Sequence, residues 1–119
     1  MILPSKELLS EVLKDTFSGV KIDGCAISKK NNTLKIFMNI MFSYDINIYE
    51  LAHKCKEWAK LKYFIDIDSH LGCARWGAEA VSHNGRPSVF YEQVFIGRTE
   101  SEAIFKACEW IMEQKKDWK

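Results

Sequence analysis

Asp66, Asp68 and His70 alternate along "IDIDSH", and in an extended chain residues at i, i+2 and i+4 project from one side. Two carboxylates and an imidazole so placed are ligand types suited to Mg2+ or Mn2+, the makings of a small metal-dependent enzyme. The competing reading is simpler: Ile65 and Ile67 face a core, and the polar trio is the wet side of an amphipathic strand. Cys73 with His70 or His83 would pair a nucleophile with a base, but no glycine-rich elbow accompanies them.

Other chemistry lacks its usual handholds. The chain has no GxxxxGK[ST], GxGxxG, HExxH or paired-cysteine motif. Its four cysteines, Cys25, Cys55, Cys73 and Cys108, are far apart, without a histidine at zinc-ligand spacing. They read as reduced thiols acting mostly as small core residues. Lys54, Lys56, Lys60 and Lys62 form the densest basic run and would serve a nucleic-acid-binding accessory protein. On a helix, however, they spread around much of the circumference, as a solvated face does. With 17 basic and 16 acidic residues the formal charge is +1, so no broad basic field argues for nucleic acid.

The elements that must position these residues follow from composition and pattern. The chain has 119 residues, 47% hydrophobic and 28% charged, the profile of one domain spanning 1–119 with its own core. No apolar run reaches membrane-spanning length and the N-terminus does not read as a signal sequence, so a cytoplasmic protein is expected. "KELLSEVLKDTF" predicts a helix with Leu8, Leu9, Val12 and Leu13 on one face, and Gly19 able to close it. "VKIDGCAIS" and "TLKIFMNIMF" predict a hairpin whose second strand sets Leu34, Ile36, Met38, Ile40 and Phe42 on one side.

Asn47 and Glu50 approximate a capping box for a second helix, to about Leu61, with Ile48, Leu51, Ala52, Cys55 and Ala59 as its stripe. "KYFIDID" is a short strand. "CARWGAEAVS" and "SVFYEQVFI" predict a further hairpin around Asn84 and Gly85. Thr99 and Glu102 open a last helix with Ala103, Ile104, Ala107, Cys108 and Ile111 inward. The expected fold is α+β, in the order αββαβββα: a mainly antiparallel sheet of about five strands packed with three helices. Residues 1–44 supply the first helix and hairpin; 45–119 supply the helix, three strands and closing helix.

"HKCKEW" and "FKACEW" look like a repeat, and Asn47, Glu50, Lys54, Glu57 and Trp58 match Thr99, Glu102, Lys106, Glu109 and Trp110 at constant offset. No strand follows Trp110 as "KYFIDID" follows Trp58, so common packing demands are the simpler explanation. Each tryptophan is expected at the margin of its stripe, its indole N–H reaching water or a carbonyl.

Aromatic residues are concentrated on the last two strands among charges. Arg75, Trp76, Glu79, Tyr91, Glu92 and Phe95 are the candidate partner-binding residues, since aromatics with arginine favour protein interfaces. If helices cover both faces of the sheet, the same rings are core. An uncovered strand edge or face would also permit a homodimer or strand addition by a partner.

The succession "NIYELAHKCKEWA", a strand, "ARWGAEAV", a hairpin strand and "TESEAIFKACEWI" resembles small phage and prophage accessory proteins that form helix–sheet–helix sandwiches. The resemblance covers the C-terminal two thirds; the helix and hairpin through Phe42 fall outside it. It implies a non-catalytic protein, without cofactor, in an infected or lysogenic bacterium. Such a protein would bind and inhibit a host defence protein, with CRISPR-Cas nucleases (the anti-CRISPR class) among the targets.

Overall fold

The computed structural model describes residues 3–16, 21–28, 32–38, 42–72, 75–82 and 93–114. Helix α1 (Lys6–Val12) starts at Ser5, whose Oγ accepts the Leu8 N–H at 3.1 Å, and it buries Leu8, Leu9 and the following Leu13. Strands β1 (Gly24–Ile27), β2 (Thr33–Met38) and β3 (Phe42–Asn47) form an antiparallel meander with β2 central. Helix α2 (Ile48–Tyr63) begins directly on β3: Asn47 Oδ1 accepts from the backbone N–H groups of Tyr49 (2.8 Å) and Glu50 (3.2 Å). Phe64, in the left-handed region at φ 57°, ends it.

Strands β4 (Ile65–Leu71), β5 (Trp76–Ser82) and β6 (Gln93–Gly97) form a second antiparallel meander, β5 central. Helix α3 (Glu100–Gln114) follows, with Thr99 Oγ1 accepting the Glu102 N–H at 3.1 Å. The expected α+β class is present, but the expected single five-stranded sheet is not. There are two three-stranded sheets, and no pairing joins them among the described residues.

The strand missing from the expected count has a local cause. Met38 pairs with Phe42 across the β2–β3 hairpin, so both lie on the same side although the chain has reversed between them. Alternation therefore survives the reversal, and two strands read as one. Phe42 opens β3 and is 66% exposed instead of extending the buried row of Leu34, Ile36 and Met38. Ile40 lies outside the described residues, as do Gly19 and the Asn84–Gly85 turn.

After α1 the chain thus runs βββα twice, each meander ending where a side-chain oxygen caps a helix. The matched positions in α2 and α3 occupy equivalent places in this order, because the shared strands precede each helix. The three helices contact one another, and the molecule measures 44 × 37 × 17 Å, the thickness of one helical and one strand layer.

One apolar cluster runs between the layers. Phe105 is its largest fully buried side chain, with Leu34, Ile36, Leu51, Ile65 and Ile111 also sealed from solvent. Where α2 meets α3, the Cys108 thiol donates to the Cys55 carbonyl at 3.7 Å. Both thiols are buried and free, so these cysteines act as small core residues; Cys25 is free and half-buried. Trp58 is only 8% exposed and its Nε1 has no hydrogen-bond partner among the described residues, unlike the marginal placement expected of it.

Polar contacts also tie the elements together. Glu109 of α3 accepts from both the Ser5 N–H (2.9 Å) and its Oγ–H (2.8 Å), holding the start of α1. Lys56 Nζ donates to Ser69 Oγ (2.9 Å), and Ser69 Oγ donates to Glu100 (2.6 Å), linking α2, β4 and α3. Lys106 Nζ donates to the Ile96 carbonyl at 2.6 Å.

Candidate functional site: the bare face of the second sheet

Helix α3 packs on all three strands of the second sheet, so one side of that sheet is core and the other is open. Register assigns each side chain, because directly paired residues in antiparallel strands point the same way. Ile65, Ile67, Ala78, Ala80 and Phe95 face the helices. On the opposite side one cross-strand row is Asp68, Glu79 and Val94; the next is His70, Gly77 and Ile96. Asp66 and Val81 pair in the row beyond.

The apolar part of this face is unusual for a solvent-facing surface: Val94 is 57% and Ile96 51% exposed, side by side on edge strand β6. Between them and β4 lies a shallow basin of about 310 Å³ lined by His70, Arg75, Trp76, Gly77, Val94 and Ile96. It exists because Gly77 has no side chain to fill the centre of the sheet, and the His70 ring leans over that gap. The open face of the first sheet differs. There Lys35 pairs with Asp45, Thr33 with Asn47, and among the described residues Phe37 is the one large apolar side chain.

The expected site residues are distributed as follows. Arg75 is exposed at the end of the basin, and Glu79 stands on the bare face. Trp76 pairs with Leu71 and Gly97 on the helix side, packs against the core and also lines the basin. Phe95 turns inward, its ring 5.7 Å from that of Trp110. Tyr91 and Glu92 lie outside the described residues.

Sequence reasoning missed Val94, Ile96 and the basin over Gly77. The signal was the run "VFI", apolar at both parities, which a strand with one wet side does not need. Asp66, Asp68 and His70 do share a side, as their alternation requires, and it is the bare one. Among the described residues no three His, Cys, Asp or Glu side chains come close enough together to hold a metal ion.

The lysine run is dispersed: Lys56 is engaged with Ser69, Lys62 pairs with Glu11 at 3.2 Å, and Lys60 points to solvent. Lys54 borders a second recess, about 490 Å³, between α1 and α2, where Trp58, Leu61 and Val12 meet charges of both signs. His53 is exposed and contacts Glu57 at 2.8 Å. No helix among the described residues is long and apolar enough to cross a membrane.

Comparison of the chain with protein-family models, with curated proteins and with solved structures returns no match.

Proposed function

We propose that this is a non-catalytic binding protein that works by setting the bare face of β4–β6 against another protein. The observation that carries this reading is the pair Val94 and Ile96, about half exposed beside a basin and rimmed by Asp68, Glu79, His70 and Arg75. An apolar centre within a polar and charged rim is the usual anatomy of a protein interface. The carboxylates on this face repel a phosphate backbone, which favours a protein over nucleic acid as the partner.

The resemblance to phage and prophage accessory proteins makes a host defence protein the partner to test first, with CRISPR-Cas nucleases leading, in the bacterial cytoplasm. Inhibition would then follow from occlusion, without turnover.

The experiment is affinity capture from bacterial lysate with tagged wild-type protein and a Val94→Thr, Ile96→Thr variant. Both substitutions are on an open face, so the variant should fold. A specific protein retained by the wild type and lost by the variant is the expected result. Equal retention by both, or retention of nothing, sinks the reading.

A further inference from the structure

Asp68 and Glu79 are directly opposite each other on adjacent strands. Like charges in that position oppose pairing, so folding alone gains nothing from them. Among the described residues neither carboxylate has an ion pair, and no lysine or arginine occupies their row of the sheet or the rows on either side. Their next neighbour across the sheet is Val94, and one row along lies the basin over Gly77. Unneutralised charge and exposed apolar surface thus adjoin at about one strand spacing, near 5 Å. Arg75, at the far end of the basin, marks where the acidic field stops.

Resting on the binding reading above, we propose that the partner meets this face with a lysine or arginine placed against Asp68 and Glu79 and an apolar side chain seated in the basin between the His70 ring and Val94 and Ile96. Such a group neutralises both carboxylates at once, while its aliphatic stem or an adjacent leucine covers Val94 and Ile96. Charge complementarity selects against acidic surfaces, and the basin fixes where the apolar anchor goes.

The test uses a synthetic helical peptide with a leucine stripe flanked by lysines, and a counterpart with glutamates in place of the lysines. Each is titrated into 15N-labelled protein. The lysine peptide should produce saturable shifts concentrated on β4–β6, including Asp68, Glu79, Val94 and Ile96. Affinity should fall about tenfold or more in Asp68→Asn, Glu79→Gln, and again on raising salt, because paired charges on an open face are screened. Gly77→Ala, whose methyl displaces the His70 ring that borders the basin and leaves both charges in place, should weaken binding as well. Equal binding of the glutamate peptide, shifts scattered over all exposed acids, or no binding of either peptide would overturn the proposal. A lysate protein captured equally by wild type and the Asp68→Asn, Glu79→Gln variant overturns this chemistry while leaving the broader reading intact. A response to the lysine peptide with no lysate partner does the reverse.

Discussion

The imidazole of His70 lies over Gly77, its Nε2 3.1 Å from where a Cβ on that glycine would stand. An aromatic ring thereby covers a bare stretch of central strand, as happens when a cross-strand neighbour shields a glycine. Gly97 faces a different obstacle. A Cβ there would come within 2.7 Å of the Ala103 backbone nitrogen and 3.0 Å of Glu102 Cβ, at the first turn of α3.

The two glycines should therefore respond differently to alanine. At position 77 the imidazole can swing away, and reduced freedom of the unfolded chain offsets the crowding, so urea unfolding should change by less than about 1 kcal/mol. At position 97 the obstacle is backbone, and a loss of about 1–3 kcal/mol is expected from overpacking. Equal effects at the two sites would contradict the close approach of β6 to α3.

Neutralising Asp68 or Glu79 should stabilise the isolated protein. Asp68→Asn or Glu79→Gln relieves a like-charge cross-strand pair, a gain of roughly 0.2–1 kcal/mol at low ionic strength that shrinks in salt. Chemical denaturation in low and high salt measures it. A stability loss in either variant would show that the carboxylate is a structural partner and not a charge held in reserve.

Glu109 should matter to α1 more than to its own helix. Removing its carboxylate (Glu109→Ala) takes away two charge-assisted hydrogen bonds from Ser5, a cost of about 1.5–3 kcal/mol. Hydrogen exchange should accelerate first at Leu9 and Leu13, whose amides bond to Ser5 O and Leu9 O. Because both variants lose the same Ser5 Oγ–Glu109 bond, the effects of Ser5→Ala and Glu109→Ala should be less than additive. Uniform acceleration across α3 instead would place the role of Glu109 elsewhere.

Alkaline pH should weaken the fold through the α2–α3 seam. Burial pushes the Cys108 thiol well above its ordinary value of 9.0; Cys55 and Glu109 push the same way and Lys56 opposes them. The folded protein thus holds a proton that the unfolded chain releases near its ordinary value. The associated stability is complete below that value and is lost as pH rises through and beyond it. Urea midpoints should fall above about pH 9, and the fall should be shallower in Cys108→Ala, although that variant is less stable throughout. Cys25, raised by its own burial and then by Glu109, contributes in the same direction. Parallel pH profiles for wild type and Cys108→Ala would exclude the thiol as a source.

Helices were legible in the sequence because cap and stripe agree. Asn47 and Thr99 announce α2 and α3, and every residue of their expected stripes is buried. Strand content was legible, strand number was not. Phe42 continues the parity of Leu34, Ile36 and Met38 through a reversal, which hides β3. Losing β3 also hid the doubled βββα order. The surface was harder still. Aromatic rings suggested an interface on the last strands, but on β6 Phe95 turns inward to Trp110 and the exposed apolar positions are aliphatic Val94 and Ile96. Composition cannot make that distinction, because only register decides which parity of "QVFIG" meets the helices.

The 17 Å dimension has a mechanical corollary. Among the described residues cohesion lies in a single seam of side chains, with Phe105 the largest of those fully sealed in it. Bending the wafer out of its plane would pry the seam open, whereas sliding forces along the plane meet the full length of the strands. A partner seated flat on the exposed sheet would act as a splint, so the bound protein should resist heat more through stiffening than through any new interior.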